Sequence, residues 1–389
     1  MDAEQQRLKK AVGPEAFIFL GLMGGVFALF SYRIGFVNAL STAMQTAFFL
    51  LKDTVLFLAA IAVLAGALAG LMQEFGVVAL IDRLLTPLMA PLFGMPGAAS
   101  IGAITTYMSD NPAILTLAAD KNYLRYFKKY QIPALTNLGT GFGMGAIITT
   151  FVLGLSALDG NNYAPAALVG NLGAVIGSII STRLMLRFTR RSFGADAMSQ
   201  GDGGVPLARD YRVVRQSSVA SRFLEAMLDG GKVGVQMGID IVPGVLVICT
   251  FVMMLSGGPA DGARYTGVAY EGIGLLPAIG EKLEFILRPL FGLQSPQSIA
   301  VPITALGSSG ASLSLISRLV GEKLANAHDI AVFTAMCMCM SGYLSTHVAM
   351  MSTLGYSRLT GKAILSHSVG GLCAGIAAHL IYTLITLIF

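Results

Sequence analysis

Charge is what this sequence has least of. Lys, Arg, Asp and Glu make up 12% of its 389 residues, against 54% hydrophobic, whereas ordinary soluble domains carry about 25% charged residues. With a mean hydropathy of +0.71, that scarcity excludes a soluble, disordered or collagen-like chain. Alternation of apolar and polar residues is also missing. The apolar runs are continuous, which excludes an outer-membrane barrel. Cysteines number four, at Cys249, Cys337, Cys339 and Cys373, all within apolar runs. They read as small core residues, not as a disulfide framework or zinc ligands. No phosphate-cradling nucleotide motif occurs, because the glycines of 139–145 lie inside an apolar run and not after a strand. The net charge of +5 fits cytoplasmic loops of a membrane protein and gives no reason to expect nucleic acid.

What is present is a set of long apolar runs. Seven could cross a bilayer as helices: 15–36, 53–75, 131–157, 163–187, 233–257, 328–354 and 363–387. The polar start, MDAEQQRLKKAVGPEAF, lacks a small-residue cleavage site, so the run Phe17 to Phe30 is expected to be retained as a helix. Residues 34–51 fit an interfacial helix or an extension of the next span. A further crossing would need a turn at Lys52-Asp53, where neither Gly nor Pro is available.

Two stretches, 94–120 and 292–322, are apolar but interrupted. The first carries Gly94, Pro96, Gly97, Gly102 and Ser109-Asp110-Asn111-Pro112; the second carries Pro296, Pro302 and Gly307-Ser308-Ser309-Gly310. Each predicts two half-helices around a polar tip. Such a re-entrant hairpin needs its tip buried in protein or lining a cavity.

The chain also repeats itself. PLFGMPGAASI at 91–101 matches PLFGLQSPQSI at 289–299, and nine of the twenty-five positions from 91 to 115 are identical at an offset of 198. Chance in so apolar a chain gives roughly two or three. The register lays Asp110-Asn111-Pro112 over Ser308-Ser309-Gly310, and with a one-residue gap Gly145 and Thr149 fall on Gly342 and Thr346. Three crossings separate the hairpins, and an odd number inverts the second copy. The expected fold is therefore an all-α polytopic membrane protein of about seven transmembrane helices plus two re-entrant helical hairpins in an inverted repeat. Its parts are an N-terminal helix and interfacial segment (1–52), a first repeat (53–187), a cytoplasmic linker (188–232) and a second repeat (233–389).

Sidedness follows from the cations. Arg7, Lys9 and Lys10, the segment Lys121 to Lys129 with Arg125 and Lys128, the linker arginines 190, 191, 209, 212, 215 and 222, and the turn with Arg358 and Lys362 all fall on one side of this arrangement. That side is cytoplasmic, which puts the N-terminus in the cytoplasm and the protein in an inner (plasma) membrane. The opposite turns hold Asp159, Asp261 and Glu271 against Arg264.

Polar groups converge at mid-membrane. Span 131–157 is centred on NLGTGFGMG and span 328–354 on Ser341-Gly342, so both are expected to be broken helices. Two tips and two interrupted spans at one depth would build a small-solute site with ion coupling. Asp110 is the acid most plainly in the membrane, a functional residue by default, although Asp-Asn-Pro also suits a helix cap. The substrate-binding candidates are Asp110, Asn111, Ser308, Ser309, Asn137 and Ser341. The ion-coupling candidates are Asp110, Thr140 and Thr346, with Na+ or H+ as the ion and no other cofactor. Asp240 reads as a structural residue nearer the cytoplasmic end.

PLFG-x6-SI, the hairpin tips, NLGTGFGMG and the order of the final spans resemble the nucleoside-recognition (Gate) domain family of bacterial membrane proteins, itself similar in architecture to the concentrative nucleoside transporters. The resemblance covers roughly 50–389. It implies a non-enzymatic secondary transporter of a small polar solute, an elevator with a mobile domain (both hairpins, 131–187 and 328–387) against a scaffold (15–75 and 233–257), and a homo-oligomer, dimer or trimer. Those transporters carry an acid in the first hairpin, a role Asp110 could fill, and another in the second half, whereas the second tip here, GSSGAS, has none.

Three rival readings remain at this level. Gly307-Ser308-Ser309-Gly310 with His347 echoes an intramembrane serine hydrolase, which requires a Ser–His hydrogen bond. Met336-Cys337-Met338-Cys339-Met340 offers soft ligands for Cu(I), but neighbours two apart on a helix face different ways. His328, His367 and His379 show no ligand spacing with one another. A non-transporting membrane interaction module is the third.

Overall fold

A computed structural model describes residues 11–118, 121–124, 126–195, 197, 214–260 and 264–388. The expectations that rest on Arg7, Lys9, Lys10, Arg125, Arg209, Arg212 and Asp261, and on the side chain of Lys121, lie outside the described residues.

The continuous apolar runs give helices and, among the described residues, no strands. In chain order these are α1 (Pro14–Ile34), α2 (Phe36–Phe49), α3 (Leu56–Glu74), α4 (Val77–Leu88), α5 (Ala99–Met108), α6 (Ala113–Ala118), α7 (Lys121–Leu124), α8 (Ala134–Thr140), α9 (Gly145–Gly154), α10 (Ser156–Asp159), α11 (Ala164–Phe193), α12 (Val219–Asp240), α13 (Thr250–Ser256), α14 (Leu275–Phe291), α15 (Ala300–Gly307), α16 (Ser309–Gly321), α17 (Ala327–Met340), α18 (Tyr343–Thr353) and α19 (Thr360–Ile388). Among the described residues, seven helical stretches are long and apolar enough to cross a membrane: Pro14–Ile34, Phe36–Glu74, Ala134–Asp159, Ala164–Phe193, Val219–Ser256, Ala327–Thr353 and Ser357–Ile388. The chain is an all-α polytopic membrane protein.

Two rods are longer than the apolar runs suggest. Of the two readings of residues 34–51, the structure has the extension of the next span: residues 36–49 do not form a separate interfacial helix. They continue through a π-helical stretch, Leu50–Val55, into α3. The chain reverses instead before Phe36, where Gly35 sits at φ 87°. Likewise α12 starts at Val219, inside the expected linker, and Ser218 caps it by accepting from the Ser221 amide. It runs on through the π-helical stretch Gly244–Cys249 into α13.

The internal repeat is visible in the backbone. Left-handed residues recur at matching positions: Gly76 and Gly274, Gly94 and Gly292, Met144 and Ser341, Gly160 and Gly355. Gly94 and Gly292 close the two PLFG motifs as left-handed helix C-caps. Both interrupted stretches fold back on themselves. Gly102 of α5 lies so close to α6 that a Cβ there would come within 2.4 Å of the Ile114 side chain. α15 and α16 reverse at Ser308, whose hydroxyl caps α16 by accepting from the Ala311 amide. At about 1.5 Å per residue none of these four helices could span a core of about 30 Å.

From Asp329 to Met340 α17 is buried throughout, and its Met336 to Met340 run is almost wholly enclosed. It packs with α11 and α19, so the soft-ligand run is core. No group of three or more His, Cys, Asp or Glu among the described residues could hold a metal.

At the far end of α2, Glu271 organises the loop before α14. Its buried carboxylate accepts from the amides of Thr266 at 2.9 Å, Gly267 at 2.8 Å and Ala260 at 3.3 Å. Burial pushes this carboxyl up, but the amides of Thr266, Gly267 and Ala260 outweigh burial and hold it below its ordinary value. A depressed folded value means that the stabilisation is complete at neutral pH and drains as pH falls through that lowered value. Glu271→Gln replaces an acceptor with an amide donor facing those N–H groups. We expect it to cost about 1–3 kcal/mol at pH 7 and to flatten the acid limb of a midpoint-versus-pH curve below about pH 4.5. An unchanged acid limb would assign that limb to other groups.

Candidate functional site

The second broken helix is the meeting point of the two repeats. Between α17 and α18, Ser341 adopts φ 30° and Gly342 φ 65°, which frees a carbonyl and an amide from helical bonding. Hairpin one takes the carbonyl: Asn111 Nδ2 donates to Ser341 O at 2.5 Å. Hairpin two takes the amide: Gly342 N donates to Ala305 O at 2.9 Å. One strained turn thus ties both re-entrant elements together.

Above this joint lies an open cavity of about 550 Å³. Its walls include Asp110 from the first tip, Ser308 and Ser309 from the second, and Ser341 and Thr346 from the break. Asp110 is half-buried, and its Oδ1 accepts from the Asn111 amide at 2.7 Å. Its side chain therefore bonds the next amide and does not act as an N-cap reaching two or three residues on. Ser309 Oγ donates to Cys337 O at 2.5 Å, while Ser308 is the α16 cap. Thr346 Oγ1 donates to Gly342 O at 3.2 Å.

Asn111 is fully buried behind this wall. Its Oδ1 has no hydrogen-bond partner, and neither does Ser341 Oγ. Both oxygens face Gly143, where an added Cβ would lie 1.6 Å from Asn111 Oδ1 and 2.8 Å from Ser341 Oγ. Two buried, unpartnered oxygens beside a glycine turn could hold a cation, since unmatched groups of this kind cost about 1–3 kcal/mol each.

The structure does not bring every candidate here. Asn137 lies away from the cavity, saturated by other partners. Its Nδ2 donates to Ser181 Oγ at 2.9 Å and Ala363 O at 3.0 Å, and its Oδ1 accepts from Thr136 at 3.3 Å. Ser181 in turn meets His367 Nδ1 at 2.8 Å. Asn137 therefore cross-links α8, α11 and α19, with no group left for a solute. Thr140 is buried, has no hydroxyl partner, and does not line the cavity. The hydrolase reading fails on geometry. His347 is fully buried with neither ring nitrogen hydrogen-bonded, and the Ser309 proton is committed to a carbonyl.

The sequence reading missed two features. Asp240 and Gln236 of α12 line the cavity, and Gln236 Nε2 donates to Asp240 Oδ1 at 2.8 Å. The fold also brings His328 Nε2 within 2.8 Å of His379 Nδ1, a pair that sequence spacing gave no hint of.

A second cavity, about 640 Å³, shares Ser109 and Val233 with the first and reaches Glu74, Arg215 and Asp229. There Glu74 receives Arg215 at 2.8 Å and Arg222 at 2.7 Å, and Arg215 also meets Asp229 at 3.0 Å. The second cavity thus adjoins the central site at Ser109 and Val233 and reaches Arg215 of the linker.

No protein-family profile matches the sequence, and no curated protein matches it either. Solved structures do. The chain is similar to the concentrative nucleoside transporter CNTnw in an inward-facing substrate-bound state (TM-score 0.54, 15% identity, 95% of this chain and 87% of that one). It is also similar to a doubly substituted CNTnw in an outward-facing state (0.55, 14%, 96% and 87%). A third match is a singly substituted CNTnw in a state called intermediate 2 (0.53, 15%, 96% and 88%). At these identities the likeness is one of fold.

Proposed function

We propose that this chain is an ion-coupled secondary transporter of a small polar solute, bound at mid-membrane between the two hairpin tips. The observation that carries the reading is the polar cavity itself. In an all-helical membrane body, two re-entrant tips and a broken helix meet around about 550 Å³ of open space, an arrangement characteristic of secondary carriers. The shared fold with CNTnw supports it. The coupling ion sits against Asn111 Oδ1 and Ser341 Oγ, and the solute sits above it against Asp110, Ser308, Ser309 and Thr346.

The linker side is cytoplasmic by its arginines, so the open vestibule faces the cytoplasm. The α3–α12 pair belongs to a scaffold that also mediates homo-oligomerisation in the inner membrane. α11, α17 and α19 with both hairpins form the moving domain of an elevator.

The test begins with a thermal-shift screen of purified protein against nucleosides, bases, amino acids and carboxylates, with and without Na+. A ligand at a hundred times its dissociation constant stabilises by about 2.7 kcal/mol, well within reach of such a screen. Asp110→Asn is expected to abolish the ligand-induced rise and to cut uptake into proteoliposomes at least about tenfold, the loss expected for a charge-assisted contact worth more than about 1.4 kcal/mol. An unchanged rise removes Asp110 from the site. No gradient-driven accumulation of any ligand that binds would leave a binding module in place of a carrier.

A further inference from the structure

We propose that the C-terminal end of α11 is a binding site for the phosphate of an anionic phospholipid, built from Arg187, Arg190 and Arg191. These three side chains wall an open recess of about 390 Å³, to which no other described residue contributes. All three are exposed. Among the described residues the ion pairs fall on Arg215, Arg222, Lys232, Arg288 and Arg318, so no carboxylate neutralises the α11 cations. Like charges three and four residues apart on a helix destabilise it, and an anion set among them removes that repulsion.

The helix dipole is not a sufficient reason for these arginines. It favours cations within the last turn, where Arg190 and Arg191 stand, whereas Arg187 lies a turn earlier. Arg183, a further turn back, is already spent. Its Nε and Nη2 donate to the carbonyls of Leu92 and Pro91. Arg190 is steadied from the protein side. Its guanidinium lies over the ring of buried Tyr130, 5.1 Å from the centroid. A guanidinium held in this way loses less freedom on meeting a phosphate, which it can grip with two parallel N–H bonds.

Depth names the source of the phosphate. α11 has 30 residues, about 45 Å at about 1.5 Å each, against an apolar core of about 30 Å. About ten residues at its C-terminal end therefore reach headgroup depth. The exposed side of the helix shows Leu168, Leu172 and Ile176 before it shows the arginines. Ile176 and Arg187 are about three turns apart and so share one face. A face that meets acyl chains at Ile176 meets headgroups at Arg187, so the occupant belongs to the surrounding leaflet. None of the three arginines lines the central cavity, so this site and the transporter reading can fail separately.

The experiment is native mass spectrometry of the full-length protein released from detergent, titrated with dioleoyl phosphatidylglycerol, dioleoyl phosphatidylcholine or inorganic phosphate. Phosphatidylglycerol is expected to bind at least about tenfold tighter than phosphatidylcholine, whose own ammonium offsets its phosphate. Changing Arg187, Arg190 and Arg191 together to Gln should remove that preference, since three surface cations can supply about a hundredfold. Arg33→Gln, which removes an exposed cation at the end of α1, should leave it unchanged. Equal binding of the two lipids overturns the inference. So does a preference that survives the triple change, or one that Arg33→Gln removes as well. Displacement of phosphatidylglycerol by millimolar inorganic phosphate would assign the recess to a soluble ligand and overturn the inference too. Ligand-free thermal midpoints show whether the triple variant keeps its fold. If it does not, Arg187→Gln alone, at an exposed and unpaired position, carries the test through a loss of about fivefold.

Discussion

Gly234→Leu is expected to separate α3 from α12, lowering stability by about 3 kcal/mol or more, the upper range for overpacking. The two helices carry interlocking rows of small residues four apart: Ala62, Gly66 and Gly70 on one, and Ala226, Gly230 and Gly234 on the other. The pairs run antiparallel. A Cβ on Gly234 would lie 2.1 Å from Ala62 O, one on Gly230 2.2 Å from Gly66 O, and one on Gly70 2.3 Å from Ala226 O. These are backbone atoms, which cannot rotate away as a side-chain tip can. Lipid tails are as apolar as leucine, so close packing of this kind, not burial from water, holds membrane helices together. Gly24→Leu is the control, since nothing lies within 4 Å of that position on α1. The midpoint of Gly234→Leu should fall by about 4 °C or more and that of Gly24→Leu should hold. Equal midpoints would mean that α3 and α12 are not locked as described. Solute binding should weaken too, because Gln236 and Asp240 ride on the same helix.

The sequence was most legible where local chemistry forbids a continuous helix. Pro and Gly clusters in apolar surroundings marked both hairpins, and the PLFG repeat marked the left-handed caps at Gly94 and Gly292. It was least legible where membership of the site depends on how far a helix extends. Counting a span from residue 233 puts Asp240 near a membrane surface. The helix in fact begins at Val219, so Asp240 lies about 30 Å along it, level with the hairpin tips. The extra turns, VASRFLEAMLDGG, are charged and amphipathic, and hydropathy alone reads them as a loop. Asn137 misled for the opposite reason. A polar residue among mid-span glycines resembles a ligand contact, but its partners Ser181 and Ala363 are 44 and 226 residues away in sequence. No local pattern announces them.

The joint between hairpin one and the broken helix is where a single methyl group should matter most for function. Gly143 is not required for its backbone angles, as its φ is not positive; it is required for space. In Gly143→Ala the new Cβ would occupy the place of Asn111 Oδ1, so the Asn111 side chain must leave. With it goes the Nδ2 bond to Ser341 O and the pair of oxygens assigned to the coupling ion. Loss of a buried bond with its partner stranded costs about 1–3 kcal/mol, so ion-dependent uptake should fall by about ten- to a hundredfold or more. Asn111→Ala alone should cause a similar loss, because it strands the same carbonyl. The double variant separates a joint from two unrelated injuries. With the asparagine gone, the added methyl meets only the Ser341 hydroxyl, a side-chain tip that can turn aside, and Gly143→Ala in that background should add little. The interaction free energy in this cycle should therefore approach the whole effect of either single change. Additive losses would mean that Gly143 and Asn111 act separately, and the coupling ion would have to be sought elsewhere in the fold.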